Sequence, residues 1–412
     1  MSGLAATLVS VLAVFAVAFA VRLLVAGRDR VAFASVLVSV GVAVSALGLS
    51  FGLELTPDLI LMVFLPAVIF HGTTTLDVRR LWANAGLVAV LTVVGLPLAV
   101  GILGAAGTVA FGFPLLVSLL FATIVLPTDP AAVLSIFEEL DVSERLAVTI
   151  EGESLFNDGV AVVLFTTLVA AFESSGSVAG LATPAGLIGV LVEVAVVGGG
   201  GFLLGAAVGY AAHAVMRRLE DEMSVLLLTV LVAYGSFLLA EHALGVSGIL
   251  AVVGAGLLAG AHEETHHKMS TSEYHVQQVW TTASFMATTV LYVLIGAEVG
   301  FDSLVAHADV VALAAVLVVA TRAATIYPLV TATNLAGSRP VPGYCQHVMV
   351  WGGLHTVVPV ALVLSLPEGV PFLGQLRAMV FGVAALSIVV QGLLMPVVLS
   401  KLGMGETTGE DD

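Results

Sequence analysis

The stretch GESLFNDG, at residues 152–159, places two carboxylates, a hydroxyl and a carboxamide within an otherwise apolar segment. Residues four apart lie on one face of an α-helix, so Ser154 and Asp158 form one pair of oxygen-bearing groups. Glu153 and Asn157 form a second pair on the neighbouring face, about 100° round the helix axis. Oxygen groups of this kind bind hard cations and exchange protons.

The composition indicates that this stretch lies in a membrane. The chain has 412 residues, of which 59% are hydrophobic and 10% are charged, and its mean hydropathy is +1.13. Soluble domains carry about 25% charged residues. The single cysteine, Cys345, excludes an intrachain disulfide and a cysteine-based metal cluster. We expect an all-α polytopic membrane protein with no soluble domain and no cofactor.

The charge excludes nucleic acid as a partner, because the net charge is −16 and there is no basic patch. Lysine occurs only at positions 268 and 401, and the chain ends in the acidic tail GETTGEDD. An acidic, lysine-poor surface is typical of proteins in concentrated salt, which favours a halophilic prokaryotic source. An ordinary acidic tail is the alternative.

A bilayer-spanning helix needs about 20 mostly apolar residues. Thirteen candidate spans are present, at 4–26, 31–50, 57–72, 85–110, 114–137, 146–171, 184–214, 223–241, 246–261, 277–299, 307–333, 345–366 and 378–400. Ten basic loop residues follow odd-numbered spans, namely Arg28, Arg30, Arg79, Arg80, Arg145, Arg217, Arg218, Lys268, Arg339 and Lys401. Only Arg377 follows an even-numbered span. The positive-inside rule therefore predicts an outer N-terminus and a cytoplasmic C-terminus in the plasma membrane.

Two of these spans contain helix-breaking residues. Span 5 includes Pro127 and Pro130 in the motif PTDP, and span 12 includes Gly352, Gly353 and Pro359. Each is the fifth span of a six-span half, and one span separates the halves, so the halves have opposite orientation. Interrupted segments at matching places indicate a transport site between inverted repeats, where the broken helices cross. Two unrelated proline kinks are the alternative.

Charged side chains within the spans mark candidate functional residues. Asp129 and the carbonyl of Thr128 lie at the break in span 5, where they can join Ser154 and Asp158 in a cluster of hard oxygen ligands suited to alkali cations. Two carboxylates brought together in a buried place tend to retain a proton. A proton can therefore compete with a cation for the same oxygens.

Arg322 lies in the middle of span 11 and needs a buried partner. Glu153 is the natural candidate, because its helix face differs from that of Ser154 and Asp158. Direct pairing of Arg322 with Asp129, with no ion bound, is the alternative. Glu193 and Glu298 also lie within spans, and both a functional and a merely structural role stay open for them.

An ordered set of motifs resembles the monovalent cation/proton antiporter family, and in particular its electroneutral NhaP-type sodium/proton exchangers. The motifs are PTDP, EGESLFND, GVSGILAVVGAGLLAG, TRAATIY and WGGLHTVVPVALVLSLP. The resemblance covers essentially all thirteen spans. It implies a homodimer in which spans 4–6 and 11–13 move as a core against an interface domain.

The resemblance also implies roles for particular residues. Asp158 would be the ion-site acid, helped by Thr128, Asp129 and Ser154, and Glu153 with Arg322 would form a structural ion pair. Asn157 stands where electrogenic relatives have a second aspartate, which implies exchange of one cation for one proton with no net charge moved.

The sequence departs from the family pattern at two positions. The motif FLPAVIFH ends in His71 where a glutamate is usual, and His355 follows Gly-Gly-Leu where an arginine is usual. Histidine titrates near neutral pH, so His71 and His355 are candidates for setting the pH response. Two neutral, hydrogen-bonding histidines are the alternative.

An HEETH motif at residues 262–266 suggests a competing enzyme, an intramembrane zinc metalloprotease. The motif lies in a short polar loop between spans 9 and 10, where no third ligand is evident. A channel or a transporter of small organic solutes is a third class, which the lack of a substrate-sized set of aromatic and donor groups disfavours.

We therefore expect a secondary antiporter and not an enzyme. It exchanges Na⁺, with Li⁺ or K⁺ as alternatives, for H⁺ by alternating access, and a potassium/proton antiporter of the same fold is the nearest alternative. The predicted core domain comprises 85–171 and 307–400, and the interface domain comprises 1–84 and 184–300. The remaining segment, 401–412, is a short acidic cytoplasmic tail.

Overall fold

The computed structural model describes residues 3–26, 32–129, 142–175, 183–219, 221–260, 271–336 and 340–404, with the isolated positions 134, 137 and 180. Within these ranges every regular element is a helix. The predicted all-α class is therefore confirmed.

The described α-helices follow one another with short connections. They are α1 Gly3–Val25, α2 Phe33–Ala46, α3 Leu65–Thr75, α4 Val78–Ala89, α5 Leu96–Ala110, α6 Leu115–Val125, α7 Glu144–Ser175, α8 Pro184–Glu193, α9 Gly199–Met216, α10 Glu222–Leu238, α11 Gly248–Gly260, α12 Thr271–Glu298, α13 Phe301–Ala306, α14 Ala308–Ala336, α15 Gly343–Trp351, α16 Val357–Leu364, α17 Leu373–Leu386 and α18 Gly392–Lys401. Short π-helical turns adjoin them at Leu59–Phe64, Val90–Gly95, Val194–Gly198, Leu239–Leu244 and Ser387–Gln391.

Eight helical stretches of the described chain are long and apolar enough to cross a membrane. They are Thr7–Val25, Val78–Ala110, Glu144–Ser174, Ile188–Met216, Glu222–Leu244, Tyr274–Glu298, Ala308–Ala336 and Leu373–Lys401. Shorter apolar helices occupy Phe33–Ala46, Leu59–Thr75, Leu115–Val125 and Gly248–Gly260. A polytopic membrane protein fits these lengths, and the count of thirteen crossings stays a prediction.

One predicted boundary differs clearly from the structure. The helix of span 4 begins at Val78, ahead of the predicted start at residue 85. The Asp77 carboxylate accepts a hydrogen bond from the Arg80 N–H at 2.8 Å, which is the geometry of a helix N-cap. The first turn also carries Arg79, so a search for apolar residues misses this polar beginning of the helix.

The chain divides into two compact units. The first comprises Met1–Thr56, Gly86–Ser154 and Thr289–Asp412, and the second comprises Pro57–Ala85 and Leu155–Thr288. The predicted core and interface domains concern movement and dimerisation, and that division stays a prediction.

The second unit packs α9 closely against α11. Gly201, Gly205 and Gly209 are four residues apart and share one face of α9. A methyl group added at any of these glycines would collide with main-chain atoms, which belong to Ser247, Ala251 and Ala255. The three glycines thus let the two backbones approach, as small residues commonly do between membrane helices.

The first unit surrounds its two broken segments with apolar helices. The helix α6 packs against α5, α16 and α17, and the helix α14 packs against α5, α15 and α17. The residues at the end of α6 and between α15 and α16 are almost all buried. These helices fix the polar groups described next.

Candidate functional site

The break in span 5 follows directly from its prolines. The helix α6 ends at Val125, and residues 126–129 are not helical. Pro127 cannot donate a backbone hydrogen bond, so the helix cannot continue regularly through this position. The carbonyls of Pro127 and Thr128 consequently become available to side chains from other helices. Pro130 lies outside the described residues.

The break in span 12 separates two short helices. The helix α15 ends at Trp351, and α16 begins at Val357. Gly352 and Gly353 lie in the gap, and Pro359 stands in the first turn of α16, where a proline is tolerated because no intrahelical donor is needed. Both interruptions predicted from the sequence are therefore present.

The two breaks meet and satisfy each other's polar groups. The Asp129 N–H donates to the carbonyl of Leu354 at 2.7 Å. In the opposite direction, Nδ1 of His355 donates to the carbonyl of Pro127 at 3.0 Å. Non-helical backbone within a membrane needs such partners. The alternative of two unrelated proline kinks does not account for this contact.

The side chain of Asp129 is held by two hydroxyl groups. Thr356 donates to Oδ2 of Asp129 at 2.5 Å, and Tyr292 on α12 donates to the same oxygen at 3.3 Å. Thr356 is 1% exposed and Tyr292 is 5% exposed. Sequence analysis missed both residues because neither is charged. Thr356 does adjoin His355 in the broken motif, whereas Tyr292 lies in an apolar stretch that has no distinguishing signal.

The structure brings Ser154 to the break in span 5. The Ser154 hydroxyl donates to the carbonyl of Thr128, and both residues are buried. The helix α7 continues without interruption to Ser175. Asp158 is therefore one turn beyond Ser154 on the same helix, about 6 Å along its axis, and it is also buried.

Arg322 and Glu153 form a buried, two-point ion pair. Nη1 of Arg322 lies 3.0 Å from Oε1 of Glu153, and Nη2 donates to Oε2 at 3.2 Å. The guanidinium also donates through Nε to the carbonyl of Met349 at 2.9 Å. That carbonyl is in the last turn of α15, where carbonyls lack intrahelical partners. The structure thus places Arg322 on Glu153 and not on Asp129.

The π turn Ser387–Gln391 supports the break in span 12 from a second direction. The Ser387 hydroxyl accepts a hydrogen bond from the His355 N–H at 3.1 Å. The Gln391 side-chain amide donates to the carbonyl of Trp351, and the Trp351 indole donates to the carbonyl of Gln391, each at 3.1 Å. Every end of the interrupted segment therefore has a polar partner.

Comparison with known proteins identifies the family. Residues 7–401 match the model of the sodium/hydrogen exchanger, transmembrane family.

The chain belongs to the sodium/hydrogen exchanger family.

Several antiporters are similar to this exchanger. The Na⁺/H⁺ antiporter ApNhaP of Aphanothece halophytica is 32% identical over 85% of the chain and 66% of the relative. The Na⁺/H⁺ antiporter NhaS2 of Synechocystis is 33% identical over 93% and 68%, respectively. The Na⁺/H⁺ antiporter NhaP of Pseudomonas aeruginosa is 32% identical over 85% and 82%. The chain thus spans about two thirds of the length of the first two.

The fold resembles that of a solved antiporter. The sodium proton antiporter MjNhaP1 of Methanocaldococcus jannaschii superposes with a TM-score of 0.77 and covers 98% of this chain and 99% of its own, at 19% sequence identity. This similarity concerns the fold. The predicted membership of the NhaP-like exchangers, a family of transporters and not of enzymes, is confirmed.

Some predicted residues of this exchanger lie elsewhere. His71 is half-buried on α3 in the second unit, and the site in the first unit does not include it. Asn157 is buried on α7, one turn beyond Glu153. The HEETH motif at 262–266 lies outside the described residues. Among the residues that the structure describes, no group of three or more His, Cys, Asp or Glu could hold a metal ion.

Proposed function

We propose that this exchanger moves a monovalent cation, Na⁺ in the first place, against H⁺ across the plasma membrane by alternating access. The cation and the proton compete for one set of oxygen ligands. Either load neutralises the site to a similar degree, so the empty, charged site does not cross. Competition of this kind couples the two fluxes without ATP.

The observation that supports this proposal is the contact between the two broken spans at Asp129. A carboxylate, the Thr128 carbonyl and the Ser154 hydroxyl come together there, in a part of the chain with few other polar groups. Alkali cations prefer hard oxygen ligands of this kind. Backbone that departs from a helix at membrane depth typically lines an ion or substrate path.

We assign Asp158 as the acid that carries either the cation or the proton. It follows Ser154 by one turn of an unbroken helix, so both side chains belong to one helix face. The Ser154 hydroxyl already reaches the Thr128 carbonyl, which indicates the direction of that face. Asp129, Thr128 and Ser154 then complete the ligand set.

Asn157 is proposed to make the exchange electroneutral. A carboxamide at this position adds an oxygen without adding a charge. With one titrating acid at the site, one proton leaves for each cation that binds. Glu153, the other member of that helix face, is committed to Arg322 and serves the structure.

We propose thirteen membrane crossings that form two inverted six-helix halves and one additional span. The N-terminus is outside and the C-terminus is cytoplasmic. The protein is a homodimer, in which the core at 85–171 and 307–400 moves against the remaining spans. The fold similarity to MjNhaP1, which extends over nearly all of both chains, supports this arrangement.

Sodium is the proposed substrate because the similar antiporters are named for it. The same oxygens can serve Li⁺ or K⁺, so potassium/proton exchange is the alternative that must be measured. His71 and His355 are proposed to contribute to the pH response. The imidazole of His355 donates through Nδ1, which both its neutral and its charged form can do.

Exchange in proteoliposomes tests the proposal. The purified protein is reconstituted with a pH-sensitive dye, and Na⁺, Li⁺ and K⁺ are added at several pH values. For the sodium assay, the membrane potential is either clamped by valinomycin and K⁺ or left free. Equal sodium rates with and without the clamp are expected for one-to-one exchange.

The Asp158→Asn variant is expected to lose exchange while it folds normally. An exposed carboxylate outside the site, Asp302, provides the matched control as Asp302→Asn. Wild-type-like sodium/proton exchange in Asp158→Asn would overturn the assignment of the site.

A further inference from the structure

We propose that Thr356 is a positioning residue for cation exchange, with Tyr292 as its weaker partner. The inference rests on the proposed function, in which Asp129 is a cation ligand. Thr356 touches the Asp129 carboxylate and acts through it, by fixing the direction in which that carboxylate presents its oxygens.

The contact between Thr356 and Asp129 has the geometry of a strong hydrogen bond. Hydroxyl-to-carboxylate bonds are about 2.5–2.7 Å long when one partner is charged, and the Thr356 bond measures 2.5 Å. Thr356 is 1% exposed, so water does not compete for its hydroxyl. The Tyr292 bond to the same oxygen measures 3.3 Å and is correspondingly weaker.

The segment around Thr356 holds the main chain and the side chain of Asp129 together. The Asp129 N–H is bound to the carbonyl of Leu354, two residues before Thr356. One short stretch of the span 12 break therefore fixes both the backbone and the carboxylate of Asp129. A carboxylate held at both points cannot turn away without breaking a bond between the two broken spans.

The hydroxyl is in turn aimed by its own surroundings. Thr356 follows His355, whose ring and N–H are bound to Pro127 and Ser387. Thr356 also directly precedes α16, so its backbone is fixed by the beginning of that helix. A threonine hydroxyl has a single proton, and here Asp129 receives it. This orientation precedes cation binding and lowers the cost of arranging the ligands.

Removing the hydroxyl should therefore weaken cation binding more than turnover. Thr356→Val keeps the shape of the side chain and is expected to raise the apparent KM for Na⁺ about tenfold, with a maximal rate within about twofold of the wild type. Thr356→Ser keeps the hydroxyl and is expected to restore the wild-type KM. Tyr292→Phe is expected to raise the KM about threefold, because its bond is longer.

The experiment measures the Na⁺ dependence of exchange in proteoliposomes for these variants. Thr167→Val is the matched control, since Thr167 is a buried threonine that bonds only within its own helix, to Val163. The increase of the thermal midpoint with Na⁺ concentration gives a second measure of binding that does not require transport. If Thr356→Val does not fold, Thr356→Ala against Thr356→Ser makes the same comparison.

An Asp129→Asn variant separates the two levels of the proposal. If Asp129→Asn exchanges sodium like the wild type, the proposed ion site is wrong, and this inference falls with it. If Asp129→Asn loses exchange while Thr356→Val keeps the wild-type KM, only the role of Thr356 is refuted. A KM that Thr356→Ser fails to restore would likewise refute the role of the hydroxyl.

Discussion

Replacing Gly353 by alanine would place a methyl group against the guanidinium of Arg322. The added carbon would lie 2.6 Å from Cδ and 2.7 Å from Cζ of Arg322, with Nε nearer still. Such distances are too short for any side-chain contact, so one of the two groups must move. The φ angle of Gly353 is outside the left-handed region, so the cost arises from the collision and not from the backbone.

Arg322 has little freedom to move aside. It is bound at three points, to Met349 at 2.9 Å and to Glu153 at 3.0 and 3.2 Å. If the ion pair stays intact, crowding of this kind destabilises a protein by about 1–3 kcal/mol. If Arg322 is displaced, the buried pair is broken, and the loss rises to about 3–5 kcal/mol. The smaller freedom of alanine in the unfolded chain returns about 0.4–1 kcal/mol.

The net expectation for Gly353→Ala is a loss of about 1–4 kcal/mol from the free energy of unfolding, by the terms above. The assay is the thermal midpoint in detergent at a fixed scan rate, together with exchange in proteoliposomes. Gly101→Ala is the control, because the space beside Gly101 in α5 is open. If Gly353→Ala and Gly101→Ala have the same midpoint, Arg322 is not confined as described.

Three further substitutions test the roles of neighbouring groups. Glu153→Gln leaves the buried charge of Arg322 without its counter-ion, so the thermal midpoint should fall while the apparent KM for Na⁺ changes little; a large KM change at unaltered stability would contradict this. Asn157→Asp adds a second acid, and exchange should then depend on membrane potential under a valinomycin clamp, whereas voltage-independent rates would argue against its role in stoichiometry. His71→Gln and His355→Gln should each move the pH of half-maximal exchange, and an unmoved profile in both would leave them as neutral hydrogen-bonding groups.

The sequence predicted the helices because lipid imposes strong rules. A spanning helix must be long and apolar, and proline must interrupt it, so the break at Pro127 was predictable. The beginning of α4 at Val78 was not, because its cap, Asp77, and its basic first turn have the composition of a loop. Hydropathy marks where a helix is buried in lipid and does not mark where its hydrogen bonds begin.

At the site, the charged residues were predictable and their neutral partners were not. Arg322 needs a counter-ion wherever it lies, and the spacing of Glu153 from Ser154 and Asp158 favoured the pair that the structure contains. Thr356 was not predicted, because one threonine among many buried ones has no distinguishing charge or spacing. Its importance depends on a contact across more than 200 positions of the chain, with a separation of 227.

The π turn Ser387–Gln391 has a consequence for the comparison of this protein with its relatives. In this turn the Gly392 N–H bonds to the carbonyl of Ser387, five residues back, so the turn encloses one residue more than a regular α-helix. A relative that lacks the extra residue would need a one-residue gap in the middle of its last membrane helix. An alignment that forbids gaps inside membrane helices would then pair every residue after Gln391 with the wrong partner, about 100° away on the helix.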